Sequence, residues 1–200
     1  MCPLINELKS RKNINVSVCV TGQHRQMLDS VLKTFNVVPD YDLSVMKDKQ
    51  TLFDITINIL SGIKEILEKE NPDVVLVHGD TSTTFVTSLA CFYLQIPVGH
   101  VEAGLRSFDM TMPEEINRMA CDVTSTMYFI PTEQSAINLL AEGFSRKNLF
   151  ITGNTVVDAC FRHLEIAKKR GFGEESLASL DIDNMDNILT LTMHRAENVD

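Results

Sequence analysis

No stretch of this 200-residue sequence offers the ~18–20 consecutive apolar residues that a membrane-spanning helix needs. The opening MCPLINELKSRKN lacks the long apolar core of a secretory signal, so the chain is expected to be cytoplasmic. Positive charge is scarce: Lys and Arg total 18 against 27 Asp and Glu, a net charge of -9. That balance excludes a general attraction to nucleic acid or anionic membrane, and leaves anionic ligands only a local basic site or a helix N-terminus. The five cysteines, Cys2, Cys19, Cys91, Cys121 and Cys160, form no Cys-x-x-Cys pair. They read as reduced core residues, and zinc is not expected. Neither G-x-G-x-x-G nor G-x-x-x-x-G-K-[ST] occurs, which disfavours a plain dinucleotide or P-loop site. Internal repeats and low-complexity segments are also lacking. With 44% apolar and 22% charged residues, the composition is that of a globular chain with an ample core.

Hydrophobic periodicity alternates between strand and helix along the whole sequence. A helix is expected over Leu4–Ser10, then strand Val16–Val20, helix Gln26–Phe35 and a weaker strand Tyr41–Val45. Thr51–Glu70 reads as a long amphipathic helix with Leu52, Ile55, Ile59, Ile63 and Ile66 on its apolar stripe, stopped by Asn71-Pro72. Asp73–Val77 is apolar on both faces, as a central parallel strand should be. Helix Thr81–Leu94, strand Val98–Val101, a polar loop and a helix opened by Pro113 follow. Met127–Ile130, Glu133–Glu142, Leu149–Thr152 and Thr155–Lys169 continue the alternation, and Ile188–Met193 reads as a further strand. Such alternation predicts an α/β fold with a doubly wound, mainly parallel sheet. The leading helix has no strand before it, and the closing strand has no covering helix after it. The chain is therefore expected to be a fragment, one domain lacking its first strand plus the first strand of a second.

In open α/β sheets ligands bind beyond the carboxyl ends of the strands. Polar clusters fall at such positions: Thr21–Arg25, His78-Gly79-Asp80, His100–Arg106 and Thr192–Arg195, with Pro113–Arg118 opening a helix beyond a loop. Each has a plain structural reading too. Asp80 before three hydroxyl residues can serve as a helix cap, and Glu114 and Glu115 can serve as dipole partners. Taken together, Asp80, Glu102, Glu114 and Glu115 would crowd carboxylates on one rim, where mutual repulsion lets one stay protonated while another acts as a base. Arg25, Arg106, Arg118, His194 and Arg195 interleave with them, and Thr155 opens a helix after Gly153-Asn154. The pattern points to acid/base chemistry on a phosphate-bearing ligand.

The segments VCVTGQHRQMLDSVLKTFNVVPDYDLSVM, VLVHGDTSTTFVTSLA, IPVGHVEAGLRSFD, MPEEINR, FITGNTVVDA and LTMHRAENVD, in this order and spacing, closely resemble the non-hydrolysing UDP-N-acetylglucosamine 2-epimerases. That resemblance implies a GT-B-like pair of Rossmann-like domains facing a cleft. Residues 1–170 would form the N-terminal domain, incomplete at its start, and 171–200 a linker and the first strand of a truncated nucleotide-binding domain. It implies an isomerase that interconverts UDP-GlcNAc and UDP-ManNAc through UDP elimination and re-addition, without NAD or metal. It also implies a homodimeric enzyme serving cell-surface polysaccharide biosynthesis.

By the same resemblance, Asp80, Glu102, Glu114 and His194 match the family's catalytic residues. Arg106, Arg118 and Arg195 are expected to bind substrate. Gln23, His24 and Gln26 match a segment that binds a second UDP-GlcNAc as activator. The family's opening Gly-Thr-Arg-Pro-Glu loop has no counterpart here, so the 200 residues alone are expected to turn over little or nothing. A 2-epimerase of a related UDP-sugar and a non-catalytic remnant or UDP-sugar-binding module remain the alternatives.

Overall fold

The computed structural model describes residues 1–22, 25–46, 50–170 and 184–189. The chain divides into two compact units, Met1–His163 and Leu164–Asp200. In the first unit the elements run α1 (Cys2–Lys9), β1 (Cys19–Val20), α2 (Arg25–Thr34), β2 (Tyr41–Asp42), α3 (Leu52–Glu70) and β3 (Val75–His78). They continue with α4 (Ser82–Tyr93), β4 (Val98–Val101), α5 (Pro113–Thr124), β5 (Met127–Ile130), α6 (Glu133–Ala141), β6 (Leu149–Ile151) and α7 (Thr155–Arg170), which runs on into the second unit. Four strands form a parallel sheet in the order β3-β4-β5-β6, and β1 and β2 form a separate parallel pair. This is the expected α/β architecture. Within the second unit, Ile188 and Leu189 are exposed and outside any strand; the rest of the strand expected over Ile188–Met193 lies outside the described residues.

Local chemistry accounts for the element boundaries. The Thr51 hydroxyl accepts from the Asp54 amide, and the Asp54 carboxylate accepts from the Thr51 amide at 2.8 Å, a reciprocal capping box that starts α3. The helix stops where Asn71 turns left-handed at φ 43° before Pro72. Its buried line is Ile55, Ile59, Ile63 and Leu67, one residue every four, which stacks them along one face. Leu52, expected on this stripe, is exposed, and Ile66 is only half-buried.

β3 is not central: it takes one edge of the four-stranded sheet, with most of its residues half-buried. The strand buried at every position is β4, flanked by β3 and β5. Gly99 on β4 has no room for a side chain. A Cβ there would stand 2.7 Å from Leu76 Cδ2 and 2.8 Å from Phe129 Cε2. β1 and β2 are shorter than expected, but backbone hydrogen bonds from Leu43 to Val20 (2.9 Å) and from Val45 to Thr21 (2.9 Å) prolong their pairing. Of the cysteines, Cys2, Cys91 and Cys121 are core residues as expected and Cys19 is half-buried, whereas Cys160 is exposed on α7.

The main core joins Ile63 and Leu67 of α3, Val77 of β3, Ala90 and Cys91 of α4, Val98 of β4 and Cys121 of α5. Burying an aliphatic side chain of this size stabilises by roughly 1.5–3 kcal/mol. A second cluster of Ala103, Tyr128, Ile130, Ala136 and Leu139 seats α6 against β5. These two clusters fix the ends of β3, β4 and β5 relative to one another, which is what the polar rim requires. No helix among the described residues is long and apolar enough to cross a membrane.

Candidate active site

Beyond β3 the chain turns sharply at Gly79, with φ 74°, a conformation a side chain would strain. The Gly79 amide donates to the Val101 carbonyl (3.0 Å), so the turn is anchored to β4. The turn carries His78 and Asp80. Beyond β4, Glu102 occupies the left-handed region at φ 71° despite its side chain, held there by amide donation from Glu102 (2.9 Å) and Ala103 (3.2 Å) to the Phe129 carbonyl. A non-glycine residue in that region costs on the order of 1–2 kcal/mol and persists only where its surroundings fix it.

Glu102 and His78 face each other: Glu102 Oε2 lies 3.8 Å from His78 Nε2. The other oxygen, Oε1, accepts from Asn154 Nδ2 at 2.7 Å. Thr155 Oγ1 at the start of α7 stands 3.4 Å from His78 Nε2. Burial and the nearby amino group of Met1 push His78 below the ordinary histidine value, opposed by the charges of Glu102 and Asp80. His78 thus lies against Glu102, and Asp80 follows two residues on in the same turn.

The other expected residues are placed differently. Arg118 on α5 pairs with both Asp80 and Glu115, which ties the rim to the start of that helix. Glu115, not Glu114, is the buried carboxylate. It accepts from the amides of Ser107 (3.1 Å) and Phe108 (3.0 Å) and thereby pins the polar loop. Burial disfavours its charge, yet these amides and Arg118 outweigh that and hold it below the usual carboxylate range. Glu114 is exposed and makes no hydrogen bond or ion pair among the described residues. Arg106, expected to bind substrate, is turned inward. Its side chain is 1% exposed, donating to Asp122 (2.8 Å), to Glu142 (2.6 and 2.7 Å) and to the Leu105 carbonyl. Gln23, His24, His194 and Arg195 lie outside the described residues, and Gln26 is described only as part of the α2 backbone.

Beneath the rim is a set of charges that the sequence reading did not single out. His100, fully buried on β4, points Nε2 at the Gly79 carbonyl (2.8 Å) and Nδ1 at the Asp122 carboxylate (2.7 Å). Both partners are acceptors, so the ring carries a proton on each nitrogen. Burial opposes that charge, but the hydrogen bonds to Asp122 and Cys121 and their charges prevail, and His100 is pushed up to about 10. Asp122 in turn binds Arg106, and Arg106 binds Glu142. One signal of this chain is legible in sequence: Asp122 sits in the last turn of α5, where the helix dipole disfavours an anion unless a cation meets it.

The family model for UDP-N-acetylglucosamine 2-epimerase matches residues 6–200. The UDP-N-acetylglucosamine 2-epimerase of Campylobacter jejuni is 46% identical over 205 aligned positions, covering 99% of this chain and 54% of that protein. The Escherichia coli K12 enzyme of the same name is 55% identical over 161 positions, 80% of this chain and 43% of its own length. Among solved structures, the Neisseria meningitidis UDP-GlcNAc 2-epimerase bound to UDP-GlcNAc superposes with a TM-score of 0.87 at 46% identity, over 92% of this chain and 51% of that one. The Methanocaldococcus jannaschii enzyme in complex with UDP-GlcNAc and UDP gives 0.86 at 40% identity, over 99% and 54%. The chain thus spans about half the length of the relatives it matches, and its sheet corresponds to their N-terminal, Rossmann-like domain in the GT-B arrangement. With the family model matching residues 6–200 of the 200, the chain belongs to the UDP-N-acetylglucosamine 2-epimerase family.

Proposed function

We propose that this chain supplies the acid/base half of a non-hydrolysing UDP-GlcNAc 2-epimerase. The observation that carries this reading is the placement of Asp80 and Glu102 just beyond the neighbouring strands β3 and β4, with Glu102 against His78. One carboxylate takes the C2 proton, the C2–H electron pair becomes the C1=C2 double bond, and the C1–O pair leaves with UDP. The resulting 2-acetamidoglucal accepts a proton at C2 from the opposite face as UDP re-adds at C1, which gives UDP-ManNAc. The C2 hydrogen is too weakly acidic to be lost alone, so departure of the diphosphate is coupled to its removal. The route uses neither nicotinamide nor metal.

In this proposal Asp80, Glu102 and Glu114 are the acid/base groups, and His194 with Arg195 attends the diphosphate. Arg118, 11% exposed and paired to Asp80, is the proposed substrate-binding residue carried by α5. The burial of Arg106 supports a supporting role rather than ligand contact. Gln23, His24 and Gln26 remain the proposed activator segment. A homodimer, a cytoplasmic location and a division into 1–170 and 171–200 complete the reading, with the second half of the enzyme needed for turnover.

The deciding experiment is a proton NMR time course of UDP-GlcNAc in D₂O, with the 200-residue chain and with a version completed by the remaining half of a relative. UDP-ManNAc carrying deuterium at C2, formed by the completed protein alone, is the expected result. Turnover by the short chain would overturn the need for the second half, and silence in both would overturn the epimerase reading.

A further inference from the structure

Glu102 is fixed from two sides that are remote in sequence. Its strained backbone is held by the Phe129 carbonyl of β5, and its side chain by Asn154, 52 residues further on. The orientation of the Asn154 carboxamide is not free. Its Oδ1 accepts from the Val156 amide at 2.9 Å, which caps α7, so its NH₂ is the group that faces Glu102. Capping alone is served equally well by Asn, Asp or Ser. Of the two caps of matching shape, Asn and Asp, only Asn can also donate to a carboxylate.

We propose that Asn154 is a positioning residue for Glu102, holding the carboxylate as a hydrogen-bond acceptor aimed at the rim. With Oε1 anchored by Asn154, Oε2 is left toward His78. The groups that face Glu102 are His78 from the end of β3, Asn154 from the turn before α7, and the Met1 amino group from the start of α1, while Thr155 contacts His78. The NH₂ of Asn154 can donate to that carboxylate and cannot accept from it. The kinetic consequence rests on the epimerase reading, whereas the placement does not.

A donor–acceptor swap tests the placement in the 200-residue chain. N154D keeps the α7 cap but sets a carboxylate against Glu102, and its melting temperature is expected to fall by ~2–4 °C. In E102Q/N154D the polarity is reversed: the amide introduced at position 102 donates to the carboxylate introduced at position 154. The loss caused by N154D is then expected to be recovered. N154D melting at or above wild type, or no coupling in the double-mutant cycle, would reduce Asn154 to a helix cap and overturn the proposal. In the completed enzyme, N154D is expected to lower kcat by roughly 10²-fold with little change in KM. An unchanged kcat would overturn the positioning role. If the unmodified completed enzyme leaves the C2 hydrogen of UDP-GlcNAc in place, the epimerase reading fails by itself and the melting cycle still decides the contact.

Discussion

The imidazole of His100 donates to the Gly79 carbonyl at 2.8 Å, so the turn that presents His78 and Asp80 rests on a buried cation. That cation is balanced by Asp122 at 2.7 Å, which is shared with Arg106 at 2.8 Å. The rim's geometry is therefore tied to the ionisation of a residue that no ligand touches.

This coupling gives a pH dependence with a definite sign. His100 rises from its ordinary 6.5 to about 10 on folding, so the folded state binds its proton more tightly than the unfolded state. The stabilisation is complete below about 6.5 and is lost as pH climbs toward about 10. The difference in melting temperature between wild type and H100Q is expected to shrink steadily across that window. A difference that grows with pH would contradict a charged His100.

Arg106 should behave as a structural residue. R106A removes the partner of two carboxylates, Asp122 being fully buried, and breaking such a buried pair costs about 3–5 kcal/mol. Chemical denaturation of the 200-residue chain measures this directly. A loss under about 0.5 kcal/mol, the range of an ordinary surface substitution, would return Arg106 to the list of ligand-binding residues.

The adjacent glutamates should separate cleanly. E115Q removes a buried charge that accepts two loop amides and pairs with Arg118, at a cost of roughly 1.5–3 kcal/mol. E114Q, on the exposed side, should stay within about 0.5 kcal/mol of wild type. If Glu114 is an acid/base group, E114Q slows turnover of the completed enzyme by ~10²–10⁴ with no change in unfolding.

Gly99 should not tolerate a methyl group. Leu76 can turn aside, but the Phe129 ring is stacked on Phe150 with centroids 5.7 Å apart and has less freedom. G99A is expected to destabilise by about 1–3 kcal/mol, read as a lower denaturation midpoint at unchanged slope.

What the sequence revealed and what it hid divide along physical lines. The boundaries of α3, β4 and β5 follow from local rules: a Thr51–Asp54 capping box, an apolar run, an Asn-Pro stop. The places of Asp80 and Glu102 just beyond β3 and β4 were legible because parallel strands end on one edge of the sheet. The edge position of β3 was not, since two-sided hydrophobicity records burial and not strand order. Nor was the inward turn of Arg106, whose partners Asp122 and Glu142 are 16 and 36 residues away. Pattern gives the face on which a charge lies, and only packing decides whether that charge meets a ligand or another side chain.

The sequence of charges His100, Asp122, Arg106 and Glu142 alternates in sign from the interior outward. Losing Asp122 strands the His100 cation in a space that cannot solvate it, while removing neighbouring opposite charges together leaves the remainder neutral. In a saturating mutational library, single replacements of Asp122 should therefore be purged more strictly than replacements of the partly exposed Glu142 at the outer end.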